Sequence, residues 1–227
     1  MSSRKYDIAI IGAGPGGSST AYFLSKYGFS VLLIDKTEFP RAKTCGDGLT
    51  PRALDVLADM GILGKIQQEG FRIDGIHLFA PRKKRLYMPI PQKGNLPNYL
   101  VTLPRLQLDQ IIFEQAIEAG AIFQGNTHIT QIKKIPQGVR ITGKHKQHQL
   151  EIDARMAIIA TGANLKLLRS SKIIQKAPTM ILAARQYFEN VNGLSNNVEA
   201  YFDGIPLPGY GWVFPISETV ANVGVGY

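Results

Sequence analysis

The sequence predicts an α/β protein in which a βαβ unit is combined with β-rich segments, and three observations predict it. A short apolar strand at Asp7–Ile11 leads directly into a glycine-rich turn at residues 12–17. A helix at Pro15–Lys26 and a second apolar strand at Ser30–Ile34 complete a unit of about thirty residues, the size expected of βαβ. From residue 73 the pattern changes to short strands separated by proline and charged residues.

The remaining elements follow from turn residues and apolar periodicity. Gly28 is expected to cap the first helix, and Thr50-Pro51 to open a second helix that ends near Gly61. A third helix is bracketed by Pro104 and Gly120, with Leu108, Ile111, Ile112 and Gln115 on one face. Further strands are predicted at Ile76–Phe79, Leu86–Ile90, Ala121–Ile132, Gly138–Gly143, Gln149–Asp153 and Met156–Ala160, the last of them buried. We expect a nucleotide-binding domain over residues 1–72 and 103–170, a β insert at 73–102, and the start of a β-rich substrate domain at 178–227.

Composition narrows the class of protein. The 227 residues are 44% hydrophobic, which is typical of a globular chain, and no run is long and apolar enough to span a membrane. The N-terminal segment does not have the pattern of a secretory signal, and the single cysteine, Cys45, is typical of a reducing cytosol. Four scattered histidines and one cysteine predict no metal site.

The net charge of +9 permits two interpretations. The basic residues are dispersed, and the one dense run, Arg82–Arg85, is expected at a hairpin tip. In the first interpretation the basic residues form an ordinary solvated surface. In the second they attract the chain to an anionic membrane or to an acidic electron-donating partner. No nucleic-acid-binding motif accompanies them, so nucleic acid is not an expected partner.

The glycine turn fits the pattern G-x-G-x-x-G, and its residues are Gly12, Ala13, Gly14, Pro15, Gly16 and Gly17. Gly12 permits the tight turn, Gly14 allows the backbone to approach a diphosphate, and Gly17 allows the helix to pack on the strand. Asp35 follows Gly17 by 18 residues and ends the second strand, where it can accept hydrogen bonds from ribose hydroxyls. These features predict a dinucleotide site, but both FAD and nicotinamide cofactors use this unit.

Four later segments resemble one family. They are Phe39–Leu49 (FPRAKTCGDGL), Thr102–Asp109 (TLPRLQLD), Tyr210–Pro215 (YGWVFP) and Ala221–Gly226 (ANVGVG). In order and spacing they resemble the geranylgeranyl reductase family of FAD-dependent oxidoreductases, which has the para-hydroxybenzoate hydroxylase-like fold. The resemblance implies a Rossmann-like FAD-binding domain with a β insert, and FAD as the cofactor. It implies cofactor binding by the glycine turn and by Asp35, Lys36, Arg41, Cys45, Gly46, Arg105, Thr161 and Gly162.

The resemblance places Cys45 near the flavin ring, where it would be the catalytic residue, donating a proton or controlling access. The alternative is a buried, inert cysteine. Arg41 and Arg105 are expected either to neutralise the cofactor diphosphate or to form salt bridges. Arg105 stands at a helix start, where a cation opposes the helix dipole, and this favours a cofactor role.

Three aromatic side chains alternate along one predicted strand: Tyr210, Trp212 and Phe214. They share a face and either pack in a core or form the wall of an apolar substrate pocket. Flanking Gly209 and Gly211 favour the pocket.

Two departures from the family pattern concern single positions. Leu207 stands where the archaeal signature has proline. Thr161-Gly162 replaces the usual Asp-Gly pair, so no role that depends on that aspartate is transferred.

A third departure concerns the later part of the family pattern. The Gly-Asp segment that closes the family's FAD site has no match after Ala163. We therefore expect an N-terminal portion of a longer enzyme.

The function that the resemblance implies is reduction of carbon–carbon double bonds in an isoprenoid lipid, by hydride from reduced FAD, with NADPH or another donor as reductant. A cytoplasmic protein, peripheral to the membrane, would suit such a substrate. Two alternatives remain. The first is a flavin monooxygenase or halogenase on the same fold, since halogenases use a Trp-x-Trp-x-Ile-Pro element similar to Tyr210–Pro215. The second is a truncated, non-catalytic flavin-binding remnant. The substrate, the electron donor and the oligomeric state do not follow from the sequence.

Overall fold

The computed structural model describes residues 6–82, 84–176, 178–179 and 181–227. Residues 1–5 of the predicted nucleotide-binding domain, and Lys83 of the basic run, lie outside the described residues. The chain divides into two compact units. The first comprises Met1–Arg41 and Asp109–Pro178, and the second comprises Ala42–Leu108 and Thr179–Tyr227.

The elements follow in chain order as β1 (Tyr6–Ile11), α1 (Pro15–Lys26), β2 (Val31–Ile34), β3 (Gly48–Leu49), α2 (Pro51–Asp59), α3 (Leu63–Glu69), β4 (Phe71–Ile73), β5 (Gly75–Ala80), β6 (Lys84–Pro89), β7 (Leu100–Thr102), α4 (Arg105–Glu118), β8 (Ile122–Gln124), β9 (Thr127–Ile135), β10 (Gly138–His145), β11 (His148–Ile159), α5 (Lys166–Ser170), β12 (Ala183–Phe188), β13 (Asn197–Tyr201), β14 (Tyr210–Pro215) and β15 (Ala221–Gly226).

The first unit is built on a six-stranded sheet in the order β8-β2-β1-β11-β10-β9. The predicted βαβ unit is confirmed, because β1 and β2 pair in parallel on either side of α1 in the chain. All four residues of β2 are buried, as expected of a parallel strand covered on both faces. The core of this unit includes Ala9, Ile11, Leu32 and Ile34 from these strands. This central pair of strands holds the glycine turn at its carboxyl edge.

Strand β11 differs from the prediction, which had two separate strands at Gln149–Asp153 and Met156–Ala160. The structure has one continuous strand that pairs antiparallel with β10 along its first half and parallel with β1 along its second. Ala154 is the crossover, since it is opposite both Val139 and Tyr6. The predicted burial of the second segment is wrong, because Met156 is 58% exposed and residues 157–160 are only half-buried. The predicted strand at Ala121–Ile132 is instead two strands, β8 and β9.

The second unit contains a six-stranded sheet in the order β12-β15-β14-β13-β5-β6 and a small sheet in the order β3-β7-β4. Strands β5 and β6 were expected to form an insert separate from the β-rich segment after residue 178. They belong to the same sheet as that later segment, because β13 pairs in parallel with β5. In this pair Val198 lies opposite Ile76. The division therefore falls at residues 41/42 and 108/109 instead of at residues 72 and 103.

The predicted helix ends agree with the structure. Gly28 has a positive φ of 84° just after α1, and Thr50 accepts a hydrogen bond from the backbone N–H of Ala53 at the start of α2. Helix α4 begins one residue after Pro104 and ends before Gly120, whose φ is 104°. On its expected inner face Leu108, Ile111 and Ile112 are buried.

Candidate functional site

The glycine turn of the first unit is crowded at two positions. Gly12 has a φ of 106°, and a Cβ added to it would lie 2.4 Å from the carbonyl oxygen of Ala160. A Cβ on Gly17 would lie 1.8 Å from the carbonyl oxygen of Gly12. Real Cβ atoms essentially never come within 3.0 Å of a heavy atom to which they are not linked through the adjoining residues, so both positions require glycine. The predicted mechanical roles of Gly12 and Gly17 agree with these contacts.

The start of helix α1 is open to an anion. Its N-cap, Gly14, provides no side-chain cap, Pro15 occupies the first turn, and no acidic side chain lies there. Helix geometry leaves the first backbone N–H groups, including those of Gly16 and Gly17, without intrahelical acceptors. These groups lie at the positive end of the helix dipole, which is the arrangement that binds phosphate groups.

Asp35 lies at the end of β2 and fixes the turn. Its Oδ2 accepts the backbone N–H of Ala13 at 2.8 Å, and its Oδ1 accepts the N–H and Oγ1 hydroxyl of Thr37 at 3.1 and 2.9 Å. A carboxylate has about four acceptor positions, so these three bonds leave capacity on Oδ2. This spare capacity fits the ribose hydroxyl of a dinucleotide. The predicted role of Asp35 is thus compatible with its structural one.

The other predicted cofactor residues of the first unit differ in their contacts and in their exposure to solvent. Arg41 forms an ion pair with the buried carboxylate of Asp109 at 3.3 Å, and it lies 4.0 Å from Asp35 Oδ2. Of the two roles predicted for Arg41, the salt bridge is therefore present in the structure, as a partly buried ion pair with Asp109. Lys36 is exposed. Thr161 follows β11, and its backbone nitrogen would be 3.1 Å from a Cβ on Gly12.

Thr161 and Gly162 form the turn after this strand. The Thr161 hydroxyl donates to the carbonyl oxygen of Asn164, and Gly162 has a φ of 61°.

In the second unit, Cys45 begins a loop, residues 45–47, that precedes β3 and rests on the face of the six-stranded sheet. The Cys45 side chain is half-buried. The sequence predicted that Gly46 and Gly48 would allow close approach to a flat ring. In the structure, a Cβ on either glycine would lie 3.3 Å from Cε2 of Phe214, so the ring they approach is this phenylalanine.

Asp47, the third residue of this loop, is a buried acceptor of three hydrogen bonds. Its Oδ2 accepts from the Tyr187 hydroxyl at 2.5 Å and from Asn222 Nδ2 at 2.7 Å. Its Oδ1 accepts from the backbone N–H of Arg105, at the start of α4, at 3.3 Å. Burial, followed by the hydrogen bond to Asp47, raises the pKa of Tyr187 well above its ordinary value. Tyr187 therefore keeps its proton and donates a hydrogen bond to the Asp47 carboxylate.

The aromatic strand agrees with the predicted alternation. Tyr210, Trp212 and Phe214 follow one another at ring-centroid distances of 6.0 and 6.4 Å. Trp212 is buried, whereas Tyr210 is 40% exposed. The space beside Gly209 is not open, because a Cβ there would lie 2.5 Å from the carbonyl oxygen of Gly226. The glycine is thus explained by close backbone packing.

The sheet face that carries Trp212 has a row of apolar side chains that continues to the β6 edge of the sheet. Trp212 is opposite Ala200, Ala200 is opposite Leu78, and Leu78 is opposite Leu86. Residues opposite one another in a sheet share a face, so these four side chains form one row about 14 Å long across β14, β13, β5 and β6. At the β6 edge the Leu86 side chain is 56% exposed.

The sequence reasoning missed Asp47, Tyr187 and Asn222 as site residues. One sequence signal was available, since Asp47 stands between two glycines. The structure gives Asp47 a φ of 65°, a conformation that aspartate tolerates better than most side chains. The other two lie far along the chain and become neighbours because Tyr187 is opposite Asn222 in the β12–β15 pair.

Within residues 6–82, 84–176, 178–179 and 181–227, no helix has the length and apolarity needed to cross a bilayer. No group of three or more His, Cys, Asp or Glu residues in these ranges could hold a metal ion.

The glycine turn, the open helix start and Asp35 together have the geometry of a dinucleotide-binding site. Residues 5–187 match the family model described as "FAD binding domain". The chain belongs to this family of FAD-dependent oxidoreductases, and the prediction of FAD as the cofactor is confirmed at this level.

Relatives with known names agree with the predicted resemblance. Menaquinone reductase of Mycobacterium tuberculosis H37Rv is 32% identical over 97% of this chain and 54% of its own length. Digeranylgeranylglycerophospholipid reductase of Thermoplasma acidophilum is 30% identical over 97% of this chain and 56% of its own. The crystal structure of a geranylgeranyl bacteriochlorophyll reductase-like protein from T. acidophilum superposes with a TM-score of 0.84 at 27% identity, covering 98% of this chain and 56% of that one. The family resemblance and the fold class predicted from the sequence are confirmed.

A relative of different chemistry is also similar. The 1H-pyrrole-2-carbonyl-[peptidyl-carrier protein] chlorinase of Pseudomonas fluorescens Pf-5 is 28% identical over 99% of this chain and 56% of its own length. The chain spans about half the length of these curated relatives.

Proposed function

We propose that the protein reduces carbon–carbon double bonds in the isoprenoid chain of a lipid. The observation that supports this most is the apolar row Trp212–Ala200–Leu78–Leu86, because it extends from the aromatic strand to the edge of the sheet. A row of about 14 Å suits a long, flexible hydrocarbon better than a compact polar molecule. The name of one relative, digeranylgeranylglycerophospholipid reductase, specifies a substrate of this chemical class.

Each unit has its own task in this proposal. In the first unit, the N–H groups at the start of α1 bind the diphosphate of FAD, and Asp35 Oδ2 accepts a ribose hydroxyl. When bound and reduced by NADPH or another donor, FAD supplies a hydride. In the second unit, the apolar row excludes water and orients the isoprenoid chain. Cys45 holds the proton at Sγ and gives it to the second carbon of the double bond.

The proposal includes contact with an anionic membrane surface, and with it a cytoplasmic, peripheral location. Strand β6 is the support, since Leu86 and Tyr87 are 56% and 49% exposed and Lys84 and Arg85 stand beside them. Exposed apolar side chains next to cations match the boundary between headgroups and acyl chains.

The test is reconstitution of the 227-residue chain with FAD, followed by reduction and incubation with a geranylgeranyl lipid. Mass spectrometry of the lipid should show two added hydrogen atoms for each reduced double bond. A hydroxylated or halogenated product with coupled oxygen consumption would favour the monooxygenase or halogenase alternative. A chain that does not take up FAD, and so shows no flavin absorbance, would favour the remnant.

A further inference from the structure

The Cys45 loop is held on the sheet by bonds from a single buried amide. Asn222 Nδ2 donates both to the carbonyl oxygen of Cys45, at 2.8 Å, and to Asp47 Oδ2, at 2.7 Å. Asn222 Oδ1 accepts the indole N–H of Trp212 at 3.1 Å. Both ends of the amide are used, and the residue is fully buried. One side chain therefore joins the aromatic strand to the loop that contains the cysteine.

Asp47 gives the loop its second attachment. Its carboxylate lies between the Tyr187 hydroxyl and Asn222, and its own backbone carbonyl accepts the N–H of Leu103 at 3.0 Å. Hydrogen bonds to an ionised group are stronger than those between neutral groups, and a buried carboxylate that loses a donor retains its desolvation cost. Tyr187 is held in turn by Arg185, whose guanidinium lies 4.2 Å from the tyrosine ring centroid.

We propose that Tyr187 and Asn222 are positioning residues that hold the Cys45 loop in place and limit access to the Cys45 thiol. Tyr187 acts through Asp47, whereas Asn222 acts both through Asp47 and directly on the carbonyl oxygen of Cys45. The contacts that hold the Cys45 loop all lie within the second unit. The consequence of these contacts for proton delivery rests on the proposed function, since only then does Cys45 act on a substrate.

The test uses the fact that the chain contains one cysteine. Alkylation of the full chain by iodoacetamide therefore reports on this loop alone. Tyr187→Phe removes the hydroxyl and keeps the ring that contacts Arg185. We expect it to increase the alkylation rate about tenfold, which corresponds to about 1.4 kcal/mol less protection of the loop.

Tyr201→Phe is the matched control, because Tyr201 also donates its hydroxyl to a carboxylate, that of Glu199, on the same sheet. Tyr201 lies on the opposite face, since it is next to Ala200 along β13. Its variant should leave the alkylation rate within twofold of wild type. Equal rates for Tyr187→Phe and wild type, or equal increases for both variants, would overturn the proposal.

A second variant keeps the proposal testable if Tyr187→Phe does not fold. Circular dichroism would detect such a loss of the fold. Trp212→Phe removes the indole N–H that Asn222 Oδ1 accepts and puts a smaller aromatic ring in the buried site, and it should raise the alkylation rate by a smaller, severalfold factor. No increase in a folded Trp212→Phe chain, when Tyr187→Phe is unfolded, would also overturn the proposal.

Activity provides an independent measurement. In the FAD-loaded protein, Tyr187→Phe should lower kcat and leave KM for the lipid unchanged. If wild type has no reductase activity but Cys45 is protected as described, the proposed function fails and the positioning inference stands.

Discussion

The two adjacent glycines at the start of α1 should respond in opposite ways to alanine. A Cβ on Gly17 would lie 1.8 Å from the carbonyl oxygen of Gly12, so the backbones would have to separate by at least about 1.2 Å to reach the 3.0 Å limit. Gly12 cannot move freely, because its N–H donates to the carbonyl oxygen of Ile34 at 2.7 Å. A Cβ on Gly16 would meet nothing within 4 Å.

These contacts give the expected magnitudes. Gly17→Ala should lower the free energy of unfolding by about 3 kcal/mol, the upper end of the usual cost of overpacking. Gly16→Ala should raise it by up to about 1 kcal/mol, because alanine is the better helix former. With a urea dependence of about 2 kcal/mol per molar, the two midpoints should differ by about 2 M.

The assay is urea unfolding of both variants and wild type, followed by far-ultraviolet circular dichroism. It is performed without FAD, since a methyl group at Gly16 would stand beside the bound diphosphate. Similar midpoints for the two alanine variants would refute the steric explanation of the turn.

Three further outcomes are expected. Asp35→Asn should weaken FAD binding about tenfold in a fluorescence titration, because a charged acceptor of the ribose hydroxyl is lost. The pKa of Tyr201 is raised to about 12 from 10.0, mainly by burial and then by its bond to Glu199. The stability it contributes should therefore be complete below pH 10 and lost as the pH rises towards 12, so unfolding free energies of wild type and Tyr201→Phe should converge over this interval. Leu86→Ser on β6 should lower co-sedimentation with vesicles rich in phosphatidylglycerol.

Each of these measurements has its own control. For FAD binding, unchanged affinity in a folded Asp35→Asn chain would contradict the ribose assignment. For the pH dependence, a constant difference between wild type and Tyr201→Phe up to pH 12 would contradict the raised pKa. For vesicles, Val56→Ser replaces an apolar residue that is 41% exposed on a different element, helix α2, and it should bind like wild type. Equal binding of the Leu86 and Val56 variants would exclude β6 as the contact.

Local signals made the nucleotide-binding corner predictable. Strand β1, the glycine turn, helix α1 and Asp35 are neighbours in the chain, and their packing follows from the sizes of residues within one βαβ unit. The helix ends were predictable for the same reason, since Thr50 and Gly28 act on residues within a few positions of themselves.

Long-range pairing was not predictable. The expected insert merged with the later strands because Ile76 is opposite Val198, more than a hundred residues away. Strand β11 was divided in the prediction because its two halves have different partners, and hence different burial patterns. Asp47 was visible in a motif, but its donors Tyr187 and Asn222 could be found only from the fold.

The fixed position of Trp212 gives the protein an intrinsic optical reporter. It is the one tryptophan of the chain, its indole N–H is bound by Asn222, and its ring lies where a Cβ on Gly224 would come within 2.2 Å of Cζ2. An indole held in one orientation should emit as a single population with a defined lifetime. A hydrocarbon that settles on the apolar row would change that emission, so lipid entry can be timed in the unmodified protein by stopped-flow fluorescence.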